Sequence, residues 1–192
     1  MLDEARQRTH DLQTRMRDES IPLAIFTDES SIAYLAGFWG YLGIEFGRPT
    51  MLVVPADAPP TIITPLMETE MVSAMTWVES IVSWEDSGQR SWHRLLGAEI
   101  HKYLGDDPAA IWIEKPYIPA LVRNYFDETF SQTALPDISA ILGAMRMIKS
   151  PLEIEVMRQA GHIAGAMMTA AHDSLRAGAH EYESALAVID AG

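Results

Sequence analysis

The sequence predicts an α/β fold, a sheet with helices on its faces. Short, wholly apolar runs such as Leu23-Ala24-Ile25-Phe26 and Ala109 to Ile113 have the length of buried strands. Other segments repeat apolar residues every three or four positions, as on one face of a helix. The two kinds of segment alternate along the chain, which is the pattern of a helix-covered sheet.

In chain order, Leu2, Ala5, Thr9, Leu12 and Met16 place a mostly apolar stripe on an opening helix, ended by Pro22. Leu23 to Phe26 is the first strand. Asp28 to Ser31 supplies capping groups for a short helix containing Ile32-Ala33-Tyr34-Leu35. Gly37 to Gly47, rich in glycine and aromatic residues, is expected to be a loop. Thr50 to Val54 and Thr61 to Thr64 read as strands on either side of a Pro55-Ala56-Asp57-Ala58-Pro59-Pro60 turn. Trp77 to Ser83 alternates as a further strand. Trp92, Leu95, Leu96, Ile100, Tyr103 and Leu104 form a helical face, stopped by Gly105-Asp106-Asp107-Pro108 before the Ala109 to Ile113 strand. Leu121, Val122, Tyr125, Phe126 and Phe130 form the next helical face.

The sharpest local signal is Ser150-Pro151-Leu152-Glu153. Serine caps free backbone N–H groups, proline suits the first helical position, and glutamate three residues on completes a capping box. Ile154, Met157, Gly161, Ala164, Met168, Ala171 and Leu175 then mark a long amphipathic helix with Gly178 at the expected C-cap. A second short helix is expected near Glu181. This last segment is too short to build its own core, so a domain boundary is placed near Lys149.

Composition narrows the function. The 192 residues suffice for one α/β domain and a fragment. The formal net charge of −13 repels phosphate backbones and anionic lipid, so neither nucleic acid nor membrane is expected as a partner. The absence of cysteine excludes disulfides, thiolate catalysis and cysteine-held zinc. The first residues are charged rather than signal-like, and no apolar run approaches the roughly 18 residues of a membrane span. A cytoplasmic location is the expectation.

No complete catalytic constellation is legible. His10, His93, His101, His162, His172 and His180 form no zinc-type pair, and they read as solvated or singly bonded histidines. The carboxylate pairs Asp28/Glu29, Asp106/Asp107 and Glu68/Glu70 stand by turn or helix-start signals, where acids cap backbone groups; the same pairing would also suit acid–base work. No nucleophile elbow, phosphate loop or dinucleotide fingerprint is present. The stretch from Tyr34 to Pro49 is the exception. Its aromatic rings, Trp39, Tyr41 and Phe46 among them, end on Arg48, whose planar fork fits a carboxylate in a small ligand. The competing reading makes Phe46 core and pairs Arg48 with a local acid such as Glu45.

Several of these pieces together resemble a known family. Tyr34-Leu35-Ala36-Gly37-Phe38, the following Met51-Leu52-Val53-Val54-Pro55, and Met145-Arg146-Met147-Ile148-Lys149-Ser150-Pro151-Leu152-Glu153-Ile154 with Met157-Arg158-Gln159-Ala160 are similar to the creatinase, aminopeptidase P and prolidase proteins. The last motif resembles the junction between their amino-terminal and pita-bread domains, and Gly178 with Glu181 a later glycine–glutamate step. Ala177 and His180 stand where family members often have proline and threonine or serine. The resemblance implies a three-layer α/β/α amino-terminal domain with a mixed sheet over residues 1–148, and the beginning of a pita-bread catalytic domain over 149–192. It implies two divalent metals (manganese, cobalt or zinc) on two aspartates, a histidine and two glutamates of the full-length protein, a region expected to lie beyond Gly192, so that this chain by itself is expected to be inactive. In creatinase, which uses no metal, a phenylalanine-glycine-arginine segment reaches the partner subunit's active site. Phe46-Gly47-Arg48 resembles it, which implies a homodimer and substrate contacts from Phe46 and Arg48. The function readings are three: a substrate-gating domain of a hydrolase acting on Xaa-Pro peptides or a small amide or guanidino compound; a non-catalytic dimerisation module; and the same fold serving a lyase that acts on a small zwitterion.

Overall fold

A computed structural model describes residues 2–86 and 90–192, apart from the side chains of Ile44 and Glu45. The chain divides into two compact units, Met1–Met145 and Arg146–Gly192.

The first unit is built on a five-stranded mixed sheet in the order β4-β3-β2-β1-β5. The strands are β1 (Leu23–Phe26), β2 (Met51–Pro55), β3 (Thr61–Pro65), β4 (Ser80–Trp84) and β5 (Trp112–Ile113). β2 runs antiparallel to β1 and β3, whereas β5 lies parallel to β1 and β4 parallel to β3. Every residue of β1, β2 and β3 is buried, which is why β1 and β2 read as continuous apolar runs rather than alternating ones. Successive side chains go to opposite faces. Ala24, Phe26, Leu52, Val54 and Ile62 enter one core with Leu12, Met16, Ile32, Leu35, Val72 and Leu142. Leu23, Ile25, Met51, Val53 and Ile63 enter the other with Leu96, Ile100, Val122 and Phe126.

The helices supplying those residues make the outer layers. On the first face lie α1 (Leu2–Asp18), α2 (Glu29–Ala36), α4 (Thr69–Met75) and α7 (Ser139–Met147); on the second lie α5 (Trp92–Leu104) and α6 (Ala120–Thr129). α1 buries Ala5, Thr9, Leu12 and Met16, the predicted stripe less its exposed first member Leu2. Asp28 caps α2, its Oδ2 accepting the Ser31 N–H at 3.0 Å. α5 runs over the predicted range, and α6 buries Val122, Tyr125 and Phe126 while Leu121 stays exposed. The architecture is thus the expected three-layer sandwich.

The elements differ from expectation in several places. Leu42–Phe46 is a short helix, α3, inside the expected Gly37–Gly47 loop. β4 starts at Ser80 rather than Trp77; the Val78 backbone N–H is taken by Thr76 Oγ1 at 3.1 Å, and the Trp77 ring N–H donates to Leu35 O at 2.8 Å. The Ala109–Ile113 run keeps only two strand residues; Ala110, outside β5, bridges to Ala134, and Ile113 bridges to Asp137 as well as pairing with Ile25. α4 and α7 occupy stretches for which the sequence predicts no element.

In the second unit α8 spans Pro151–Ser174 and opens on the predicted capping box. Ser150 Oγ accepts from Glu153 N–H at 3.1 Å, and Glu153 Oε2 accepts from Ser150 N–H at 2.8 Å. The helix ends at Ser174, not at Gly178. Ser174 Oγ donates to Ala171 O at 2.8 Å and pairs with the Ser184 hydroxyl at 2.9 Å, tying the last turn to α9 (Glu181–Asp190), and Gly178 takes its positive φ in the connecting turn. His180 occupies the α9 N-cap without a side-chain hydrogen bond. Ile154, Met157, Met168 and Leu175 of the apolar stripe are exposed.

Asp137 joins three elements of the first unit. Its Oδ1 accepts from Ser139 N–H at 3.0 Å, from Ser139 Oγ at 2.6 Å and from Lys115 N–H at 3.2 Å. Burial pushes its carboxyl up, but these hydrogen bonds outweigh it and hold the group below the ordinary aspartate value. A depressed carboxylate adds stability above its unfolded-state pKa and loses it as pH falls through the folded value. Asp137→Ala is therefore expected to cost about 1 kcal/mol at pH 7, the usual worth of a helix-start acceptor. The gap from wild type should narrow as pH falls below the ordinary aspartate value, as read from urea midpoints at pH 7 and in that acid range. A gap that stays constant with pH would contradict the assignment.

Candidate functional site

The segment from Phe38 to Thr50 is fixed from beneath and open above. Phe38 and Leu42 are buried among the helices and strands, and Pro49 and Thr50 are buried at the start of β2. Between these anchors Trp39 is 56% exposed, Tyr41 49% and Phe46 63%. The core reading of Phe46 is therefore excluded. Tyr41 and Phe46 meet edge to face at 6.5 Å between ring centroids. Exposed aromatics are unusual in such number and commonly mark a contact surface.

α3 ends at Gly47, whose φ of 63° is a left-handed conformation that side chains resist. Arg48 N–H closes the turn by donating to Leu42 O at 3.0 Å. That reversal places Arg48 at the threshold of β2. Its Nη2 forms an ion pair with Asp86 Oδ2, its Nη1 lies 3.8 Å from Met67 Sδ, and its guanidinium carbon is 5.9 Å from the Trp84 ring centroid. Trp84 is held in turn by its ring N–H, which donates to Pro49 O at 3.0 Å. The acid that meets Arg48 is thus Asp86; the side chain of Glu45 lies outside the described residues.

Sheet topology explains this meeting of residues far apart in sequence. The antiparallel β2–β3 pairing sets the start of β2 beside the end of β3, and the parallel β3–β4 pairing brings the end of β4 to the same edge. Arg48 precedes β2, Met67 follows β3 and Asp86 follows β4.

Beneath the loop sits a buried polar group that the sequence does not reveal. Glu68 is 3% exposed and caps no helix, contrary to the capping expectation. Its Oε2 accepts from Thr50 Oγ1 at 3.0 Å and Thr64 Oγ1 at 3.3 Å, while its Oε1 has no hydrogen-bond partner among the described residues. Glu68, Glu29, Gly40, Tyr41, Gly43 and Thr50 are among the residues lining a partly open cavity of about 10 Å³, at the lower limit for one water. A Cβ at Gly43 would stand 3.2 Å from Glu29 Oε1, so glycine lets the backbone of α3 come close to this carboxylate without displacing it.

Among the described residues no group of three or more His, Asp or Glu side chains is placed to hold a metal ion. The described residues therefore do not assemble the two-metal centre that the resemblance implies for full-length members of the family. No helix among them is long and apolar enough to cross a membrane.

Comparison with known proteins agrees with this architecture. The chain is 26% identical over 172 residues to the Xaa-Pro dipeptidase of Lactobacillus helveticus, covering 88% of this chain and 45% of that protein. It is 27% identical over 189 residues to the creatinase of a Bacillus species, covering 96% of this chain and 43% of that protein. The chain thus spans less than half the length of these relatives. Among solved structures, the prolidase of Thermococcus sibiricus superposes with a TM-score of 0.80 at 21% identity, over 97% of this chain and 48% of that one. A proline dipeptidase structure from Streptococcus pneumoniae superposes at 0.62 and 20% identity, over 73% of this chain and 98% of that one. These likenesses show the shared fold. Residues 8–148, the whole helix-covered sheet with its aromatic loop and buried Glu68, match the Creatinase/Prolidase N-terminal domain, and the chain belongs to the creatinase/prolidase family.

Proposed function

We propose that this chain is the substrate-gating and subunit-pairing amino-terminal part of a cytoplasmic enzyme that hydrolyses Xaa-Pro peptides or a small amide or guanidino compound. The observation that carries the reading is Arg48, preset by the Gly47 turn at the end of an exposed aromatic segment. In this role Arg48 binds the substrate carboxylate across a homodimer interface, and Trp39, Tyr41 and Phe46 shield that contact from water. Divalent metals and the hydrolytic step belong to the remainder of the enzyme.

Asp86 fits this role as a stand-in. It engages Nη2 of the guanidinium through one oxygen, where a substrate carboxylate would take its place, at a site where the side chains are 35% and 65% exposed. An ion pair this exposed is worth about 0–1 kcal/mol, so an incoming carboxylate displaces it at little cost. Glu68 supports the segment from beneath through Thr50.

In the full-length enzyme Arg48→Ala is expected to lower kcat/KM by roughly ten- to a hundred-fold, the range of one charge-assisted hydrogen bond. Arg48→Lys should recover only part, because a point charge lacks the fork. Melting temperature should hardly move. A variant that melts many degrees lower while its folded fraction turns over normally would make Arg48 structural and sink the assignment.

Glu68 separates support from chemistry. Glu68→Ala leaves Thr50 and Thr64 unpaired and opens a void, an expected loss of about 2–4 kcal/mol of stability. Glu68→Gln keeps the acceptor and removes a buried carboxylate oxygen that lacks a partner, so it should be neutral or stabilising. Urea denaturation of both variants checks this; a glutamine variant as damaged as the alanine one would show that the charge itself is required.

A further inference from the structure

α1 carries a second stripe that the fold does not consume. Arg6, His10, Gln13 and Arg17 follow one residue after the buried Ala5, Thr9, Leu12 and Met16, so they run alongside the core-facing line. Together with Trp77 and the Ala56–Pro60 turn they line a groove of about 410 Å³, within the ordinary size range of small-ligand sites.

Its walls are fixed. Gln13 Nε2 donates to Pro55 O at 2.7 Å and Ala58 O at 2.8 Å, pinning the turn. Arg17 Nη1 donates to Ala56 O at 2.7 Å. Trp77 is locked by its ring N–H on Leu35 O. Arg6 differs from these. Its guanidinium lies 5.5 Å from the Trp77 ring centroid and has neither ion pair nor hydrogen bond among the described residues. A guanidinium stacked on a ring keeps its in-plane donors available. His10 is likewise without a side-chain partner among the described residues, and it stands one helical turn from Arg6. The groove's acid, Asp57, is 82% exposed and stands 3.8 Å from Arg17.

A chain with a formal net charge of −13 thus keeps an open groove with two arginines, a histidine and one acid, and leaves two of these cationic or protonatable side chains unpartnered among the described residues. We infer that this groove binds a small polyanion, a phosphate or polycarboxylate compound, with Arg6 and His10 as the recognising groups and Arg17 closing one end. The site shares no residue with the Arg48 cluster and stands independently of the function proposed for it. Nucleic acid is disfavoured because the acidic remainder of the surface repels a long phosphate backbone.

The test is calorimetric titration of the 192-residue chain with pyrophosphate and with citrate, at constant ionic strength set by chloride. One saturable site is expected, weakened about tenfold in Arg6→Gln and further in Arg6→Gln/His10→Gln, with melting temperature unchanged because neither side chain holds the fold. Arg6→Lys should fall between wild type and Arg6→Gln, and Arg48→Ala should bind as wild type does. Binding of both anions identifies a reader of charge; binding of pyrophosphate only, or citrate only, names the source as phosphate or carboxylate. Absence of saturable binding by either anion, undiminished affinity in the double variant, or loss of binding in Arg48→Ala would each overturn the inference.

Discussion

The central strands of the first unit are buried on both faces, and the rest of that unit's architecture depends on this constraint. β1, β2 and β3 have no exposed residue, so alternate side chains must find partners in two separate cores. A strand slipped by one residue would exchange the two sets completely. Leu23 and Ile25 would then face α1 and α2, and Ala24 and Phe26 would face α5 and α6. Helices on both sides are therefore required, each with an apolar stripe matched to its own side of the sheet. The acidic surface lies outside these layers, and the formal charge of −13 has no part in choosing the fold.

The same sheet order determines where the candidate site can be. The start of β2 and the ends of β3 and β4 share one edge, and the residues just beyond them have no further strand to pair with. Arg48, Glu68 and Asp86 arise there for different energetic reasons. Glu68 is sealed beneath the loop, where a half-paired carboxylate is costly and must be offset by the packing of Phe38 and Leu42 around it. Arg48 and Asp86 remain in contact with water, where their attraction is small and exchangeable. Position is thus imposed from below by burial, and the charges above stay available to a ligand.

The second unit obeys a different logic. Its long helix is specified by a capping box and by spacing within a single element, and it packs on α9 without a buried residue in either helix. Those local signals suffice to start and extend a helix. They do not supply a core, which needs apolar surface from several elements at once.

Legibility in the sequence divides along the same line. α1 and α5, the Asp28 cap and the Ser150 box are readable because each depends on residues three or four positions apart. Phe46 and Arg48 stand out by composition, but the sequence leaves Phe46 open between core and surface, since exposure is a property of the assembled layers. Glu68 has the local pattern of a capping acid, and its Thr50 partner is 18 residues away. Asp86 carries no local mark of its pairing, being 38 residues from Arg48. β5 shrinks to two residues and β4 starts late because the backbone N–H groups of Ile111 and Val78 are taken by Ala134 O and Thr76 Oγ1. Periodicity and capping are short-range, so α1, α5, α6 and α8, the Asp28 and Ser150 caps and the apolar runs that must be buried are legible in the chain alone. The tertiary structure decided which polar groups are buried and which charges meet, because the order and direction of strands bring those residues together, and no local pattern encodes that order.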